Sequence, residues 1–161
     1  MQVNHQLQWH RLANQAEEEM EKINYGRVLL GGLAAGLLMN VSEALLHGGV
    51  LGQATVELYQ SLGVVAEPHP MNLAVLVTMT FLLGIGAVWL YAAIRPRFGP
   101  GVKTALCAGL AVWVLAHLWS GVYLSAGFAG LVTPKLAWTP VAWGLVEAPL
   151  ATIVGAWLYR E

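Results

Sequence analysis

The sequence predicts an all-α, polytopic membrane protein, a four-transmembrane-helix bundle preceded by an N-terminal amphipathic helix. Three observations carry this prediction. Apolar residues make up 57% of the 161 positions and charged residues only 11%, about half the charged share of an ordinary soluble domain. Four apolar runs, roughly 28–50, 71–94, 104–126 and 141–159, each supply the ~20 residues of helix that a bilayer core requires. None alternates with period two, and an unclosed sheet would leave backbone groups unpaired in lipid, so the spans are helices. Eight basic against nine acidic groups leave a net charge of −1, no footprint for nucleic acid. The single Cys107 excludes an internal disulfide and any zinc-ribbon spacing.

Residues 1–25 read as a cytoplasmic amphipathic segment and 26–161 as the four-helix domain. In the first segment Trp9, Leu12, Ala16, Met20 and Ile23 recur at helical spacing, with Glu17, Glu18, Glu19 and Glu21 mostly opposite. Its polar face lacks the Lys and Arg of a membrane-surface helix, so docking on a partner protein stands level with lying on lipid. A cleaved signal peptide fits poorly, because the first apolar run follows this Glu-rich stretch with no short basic start.

The first span carries Gly32, Gly36, Asn40, Glu43 and His47 down one stripe. The connection 51–70 has room for a short surface helix and ends in the rigid Glu67-Pro68-His69-Pro70. The second span brings Thr78 and Thr80, and Arg95 to Gly101 reads as a tight turn, since two prolines and two glycines do not continue a helix. On the third span Gly109, Trp113, His117 and Ser120 form a stripe like that of the first. The connection 127–140 again has room for a surface helix. The fourth span presents Gly144, Glu147, Ala151 and Gly155 on one face. Within it Pro149 removes a backbone donor and leaves the Leu145 carbonyl without its usual partner. Small residues at such spacing let helices approach closely, so the stripes are expected to face one another.

Topology follows from the basic residues. Arg11, Lys22, Arg27, Arg95, Arg97, Lys103 and Arg160 fall on the N-terminal segment, the middle turn and the C-terminus, leaving only Lys135 for the other connections. The positive-inside rule then places both termini in the cytoplasm. Trp138, Trp143 and Tyr123 read as an outer aromatic belt, and Trp89, Tyr91, Trp157 and Tyr159 as an inner one. A faint repeat relates the two hairpins: Gly36-Leu37, Val41, Leu45, Gly48 and Leu51 recur 73 residues later, and Trp89-Leu90-Tyr91 recurs as Trp157-Leu158-Tyr159. A parallel repeat of this kind implies a pseudo-twofold axis along the membrane normal.

Ionisable groups inside spans cost a few kcal/mol each and normally face the bundle interior. At 1.5 Å per residue Glu43, His117 and Glu147 lie about 24, 21 and 18 Å from the cytoplasmic ends of their spans, with His47 about 6 Å further out and Thr80 in the same slab. Four readings of this cluster remain open. Glu43 with His47, and Glu147 with His117, form hydrogen-bonded pairs of purely structural meaning. Alternatively the group relays protons. Glu43, His47, His117 and Glu147 also have ligand types suited to a divalent metal, although they lack the Glu-x-x-His spacing of di-iron bundles. Finally, either histidine is a candidate axial ligand of haem or a chlorophyll-type pigment. No nucleophile–base spacing and no H-E-x-x-H motif occurs, so no catalytic residue is assigned.

At R-P-R-F-G-P-G (Arg95 to Gly101), A-G-L-A-V-W (Ala108 to Trp113) and G-A-W-L-Y-R-E (Gly155 to Glu161), the chain resembles small four-span bacterial integral membrane proteins. The likeness runs over about Tyr25 to Glu161 and implies a fold and a bacterial inner-membrane location, but no activity. The expectation is a non-catalytic membrane component: an accessory or scaffold subunit, or a binder of lipid, quinone or pigment, with a protein partner or a second copy of itself. The competing expectation is a small ion- or proton-coupled transporter, or a metal or haem redox protein, working through Glu43, His117 and Glu147.

Overall fold

A computed structural model describes residues 23–65 and 70–159. The amphipathic helix expected before the first span, and the Glu67-Pro68-His69 entry to the second, lie outside the described residues. Within them the chain is helical: α1 (Tyr25–Leu45), α2 (Gly52–Ser61), α3 (Pro70–Phe98), α4 (Val102–Val112), α5 (Trp119–Gly127) and α6 (Pro134–Leu158). Two π-helical turns, Leu46–Val50 and Trp113–Leu118, extend α1 and join α4 to α5. Four continuous helices, Tyr25–Val50, Pro70–Phe98, Val102–Gly127 and Pro134–Leu158, are therefore long and apolar enough to cross a membrane.

Local chemistry sets several boundaries. Asn24 caps α1 by accepting the Arg27 amide at 3.1 Å, and Thr133 caps α6 by accepting the Leu136 amide at 3.4 Å, with Pro134 in the first turn. Helix α6 thus starts before Pro140, so the expected surface helix in 127–140 is replaced by an earlier start to the span. The short helix in the other long connection is present as α2. The turn after the second span is tighter than the prolines imply, since α3 runs through Pro96 to Phe98. Gly99 (φ +80°) and Gly101 (φ +129°) then make the reversal in left-handed conformations that suit glycine. Thr104 Oγ1 donates to the Gly99 carbonyl at 2.6 Å and fastens the turn to α4.

The helices pack as the glycine stripes require. In lipid there is no hydrophobic gain from helix association, so close backbone approach and interhelical hydrogen bonds hold the bundle. A Cβ on Gly84 would lie 2.5 Å from the Gly36 amide nitrogen, and one on Gly36 would lie 2.8 Å from Phe81 Cα, which locates the α1–α3 crossing. At the α4–α6 crossing a Cβ on Gly109 would lie 2.5 Å from Pro149 Cα. Gly36 and Gly109 are equivalent under the sequence repeat, and so are Phe81 and Pro149. The equivalent Tyr91 and Tyr159 meet edge to face, with ring centroids 6.0 Å apart. Both tyrosines are buried, which corrects their assignment to an aromatic belt; Trp89 and Trp157 are the exposed pair. The two hairpins thus approach a twofold arrangement at the end of the bundle carrying the start of α1 and the end of α6.

The arrangement departs from that symmetry at the opposite end. Half of the apolar core window of α6 is buried against 17% of that of α3, and residues 70–79 of α3 are exposed throughout. The N-terminal half of α6 is drawn against α1 and the π turn before α5, where the polar side chains lie.

Candidate functional site

Three helices contribute to one polar cluster. Glu43 projects from the last α-helical turn of α1, His117 from the π turn between α4 and α5, and Glu147 from the middle of α6. One ligand atom from each lies within 4.8 Å of the others. The Glu43 carboxylate sits between two imidazoles: Oε2 is 3.0 Å from His47 Nε2, one helical turn along, and Oε1 is 3.8 Å from His117 Nε2 across the helix interface. Of the two pairings the sequence suggests for a structural role, the Glu43–His47 pair forms. His117 turns to Glu43 instead of bonding Glu147.

The side chains grade from exposed to buried. Side-chain exposure falls from 58% at His47 through 28% at Glu43 to 12% at His117, and Glu147 is 5% exposed. Two buried atoms within this gradient have no hydrogen-bond partner: His117 Nδ1 and Glu147 Oε2. An unsatisfied buried polar atom costs about 1–3 kcal/mol, and more when it belongs to a charged group. Unmet valence at such a position is uncommon in native proteins.

Backbone placement explains why these groups meet. A Cβ on Gly144 would lie 2.5 Å from His117 Cγ and 2.7 Å from its Nε2, so the imidazole occupies the space that this glycine vacates. Ser42 lies beside Glu147 and accepts the indole N–H of Trp143 at 2.8 Å, tying α1 to α6 next to the carboxylates. The π turns place both histidines on non-α backbone, a geometry that recurs at functional sites. No family model, curated protein or solved structure matches the chain. The site is therefore read from its own geometry.

Two further candidates from the sequence fall outside the cluster. Asn40, one turn inward on α1, donates Nδ2 to the Gly36 carbonyl at 2.8 Å and to the Val77 carbonyl of α3 at 3.4 Å, so it braces two helices. Thr80 donates to the Leu76 carbonyl of its own helix at 3.0 Å. Trp113 braces the second hairpin as Asn40 does the first, donating to the Val141 carbonyl at 2.8 Å. Sequence reasoning missed Ser42, Trp143 and Gly144 as site residues. Trp143 reads as a belt residue and Gly144 as packing, and Ser42 lies off the polar stripe of its span; only the crossing of α1, α6 and the π turn brings them to the acids.

Chemically the cluster offers one imidazole and two carboxylates, with a second imidazole at its mouth. An ion about 2.0–2.2 Å from each ligand draws the ligand atoms to within about 3–4 Å of one another. The Glu43–His117 separation is already in that range, and Glu147, whose ligand atom is within 4.8 Å of both, needs a movement of at most about 1 Å. An axial haem or pigment ligand is harder to provide, because Nε2 of both histidines faces Glu43 and the His117 ring is packed on Gly144.

Proposed function

We propose that this chain is a multi-pass protein of a bacterial inner membrane, with both ends in the cytoplasm, that binds a cation among Glu43, His117 and Glu147 in the outer half of the bilayer. The carrying observation is the buried, unpartnered Glu147 Oε2, on a side chain whose ligand atom lies within 4.8 Å of those of Glu43 and His117. A bundle that served only as scaffold gains nothing from leaving such atoms unsatisfied. A bound cation would neutralise the paired carboxylates at membrane depth and use their free lone pairs. The basic residues bordering the α3–α4 turn, Arg95, Arg97 and Lys103, support the orientation.

The test uses the full chain in lipid nanodiscs, dialysed to equilibrium against divalent cations and assayed for bound metal. Stoichiometric binding that is lost in Glu147→Gln supports the reading. A folded wild type that retains no cation above the empty nanodisc overturns it, and returns the accessory or hydrophobic-ligand role to first place. Reporter fusions in the 99–101 turn and in 128–133 test the orientation, which fails if the first reports outside.

A further inference from the structure

Resting on the cation-binding reading, we infer that the site takes a first-row transition ion such as Zn²⁺, Mn²⁺ or Fe²⁺, and that Glu43 passes the ion from a surface station with His47 to a buried station with His117 and Glu147. Two features carry the identity of the ion. Each station contains an imidazole, a ligand that suits transition metals, whereas Ca²⁺ takes six to eight oxygens and Mg²⁺ retains water in near-octahedral oxygen shells. The buried station supplies one nitrogen and two carboxylates on three different helices, fewer oxygens than a Ca²⁺ shell takes and a nitrogen where Mg²⁺ takes oxygen.

The route is carried by geometry. One carboxylate contacts both imidazoles through different oxygens, 3.0 Å to His47 and 3.8 Å to His117, so moving from one station to the other requires no change of helix position. The exposure gradient runs the same way, from the open His47 to the enclosed Glu147. The surface beside His47 is bare, since a Cβ on Gly48 or Gly49 would meet nothing within 4 Å. An ion arriving there finds the His47–Glu43 pair first. The buried station then completes its shell with the unpartnered Glu147 oxygen and the His117 imidazole, and the carboxylate keeps hold of the ion throughout. Each Nε2 that faces the Glu43 carboxylate gives up its proton to solvent or to its own Nδ1 before it ligates, and apart from these proton movements only metal–ligand bonds form or break.

The full chain in nanodiscs is titrated with Co²⁺, Zn²⁺, Mg²⁺ and Ca²⁺ separately, following the Co²⁺ ligand-field spectrum at equilibrium and by stopped flow. The inference expects Co²⁺ and Zn²⁺ to bind at least 100-fold more tightly than Mg²⁺ or Ca²⁺. His47→Ala slows Co²⁺ association about 10-fold with less than a 5-fold change in affinity, whereas His117→Ala loses more than the roughly 100-fold at the top of the range for groups that only orient a ligand. Equal affinity for Ca²⁺ overturns the ion class, and an unchanged association rate in His47→Ala overturns the route; in both cases the cation site itself stands. Absence of binding by any of the four ions overturns the site reading and this inference together. Circular dichroism of each variant confirms that loss of binding is not loss of the bundle, and His47→Gln, which keeps a polar side chain at the mouth, is expected to slow entry as His47→Ala does.

Discussion

Gly144→Ala tests whether the position of the His117 ring decides binding. The added Cβ would sit 2.5 Å from His117 Cγ and 2.7 Å from Nε2, against an ordinary carbon contact of about 3.5–4.0 Å. The ring must therefore retreat by about 1 Å, or α6 must move away from the π turn. Metal–ligand distances tolerate about 0.2 Å, so a shift of that size removes His117 from the shell without touching a ligand. Affinity for Co²⁺ is expected to fall about 100-fold, the upper end for changes that misplace a ligand without removing it, while overpacking costs the bundle about 1–3 kcal/mol. Isothermal titration in nanodiscs reads the first and graded denaturation in mixed micelles the second. Gly86→Ala, whose Cβ would meet nothing within 4 Å, is the control and should change neither. Wild-type affinity in a folded Gly144→Ala protein would refute the claim that the imidazole is held at the site by this glycine.

Other positions make separate predictions. Gly84→Val places bulk against the Gly36 backbone and should destabilise the bundle by about 1–3 kcal/mol; an unfolding midpoint equal to wild type would show that α1 and α3 do not cross there. Asn40→Leu removes the brace to α3 and should cost about 0.6 kcal/mol, up to about 1.7, leaving metal affinity within 3-fold; a larger affinity loss would bring Asn40 into the site. Trp143→Phe frees Ser42 from the indole and is expected to weaken binding about 10-fold, the lower end for groups that orient ligands. Unaltered affinity would show that the Trp143–Ser42 bond only joins helices.

The spans, their order and their packing faces were legible because each signal is local. Gly32, Gly36 and Asn40 follow helical steps, and so do Gly144, Glu147, Ala151 and Gly155; periodicity alone puts each set on one face. Depth counting also brought Glu43, His117 and Glu147 to one slab, since rise per residue is nearly constant. The pairing within that slab was not legible. Which oxygen of Glu43 meets which imidazole depends on the π turns, which rotate the chain by an amount that no residue pattern marks. Boundaries failed where proline was read as a stop: near a helix end, as at Pro96, the lost hydrogen bond and the clash fall where the helix was about to finish. Pro140 lies inside α6 because Pro134 and Thr133 had already started it.

The near-repeat of the two hairpins has a consequence for how such a site could arise. Mapped through the repeat, Glu43 corresponds to Ala116, His117 to Ala44 and Glu147 to Met79, so the opposite flank of the bundle holds alanines and a methionine where this flank holds acids and a histidine. Ala44 and Met79 are exposed, so the flank where helices meet around groups that are expensive in lipid has no packed apolar counterpart. That open flank is also an internal reference: introducing Ala116→Glu, Ala44→His and Met79→Glu together would ask whether the scaffold can host the same chemistry twice, or whether the exposed first part of α3 leaves the copied ligands too far apart to meet.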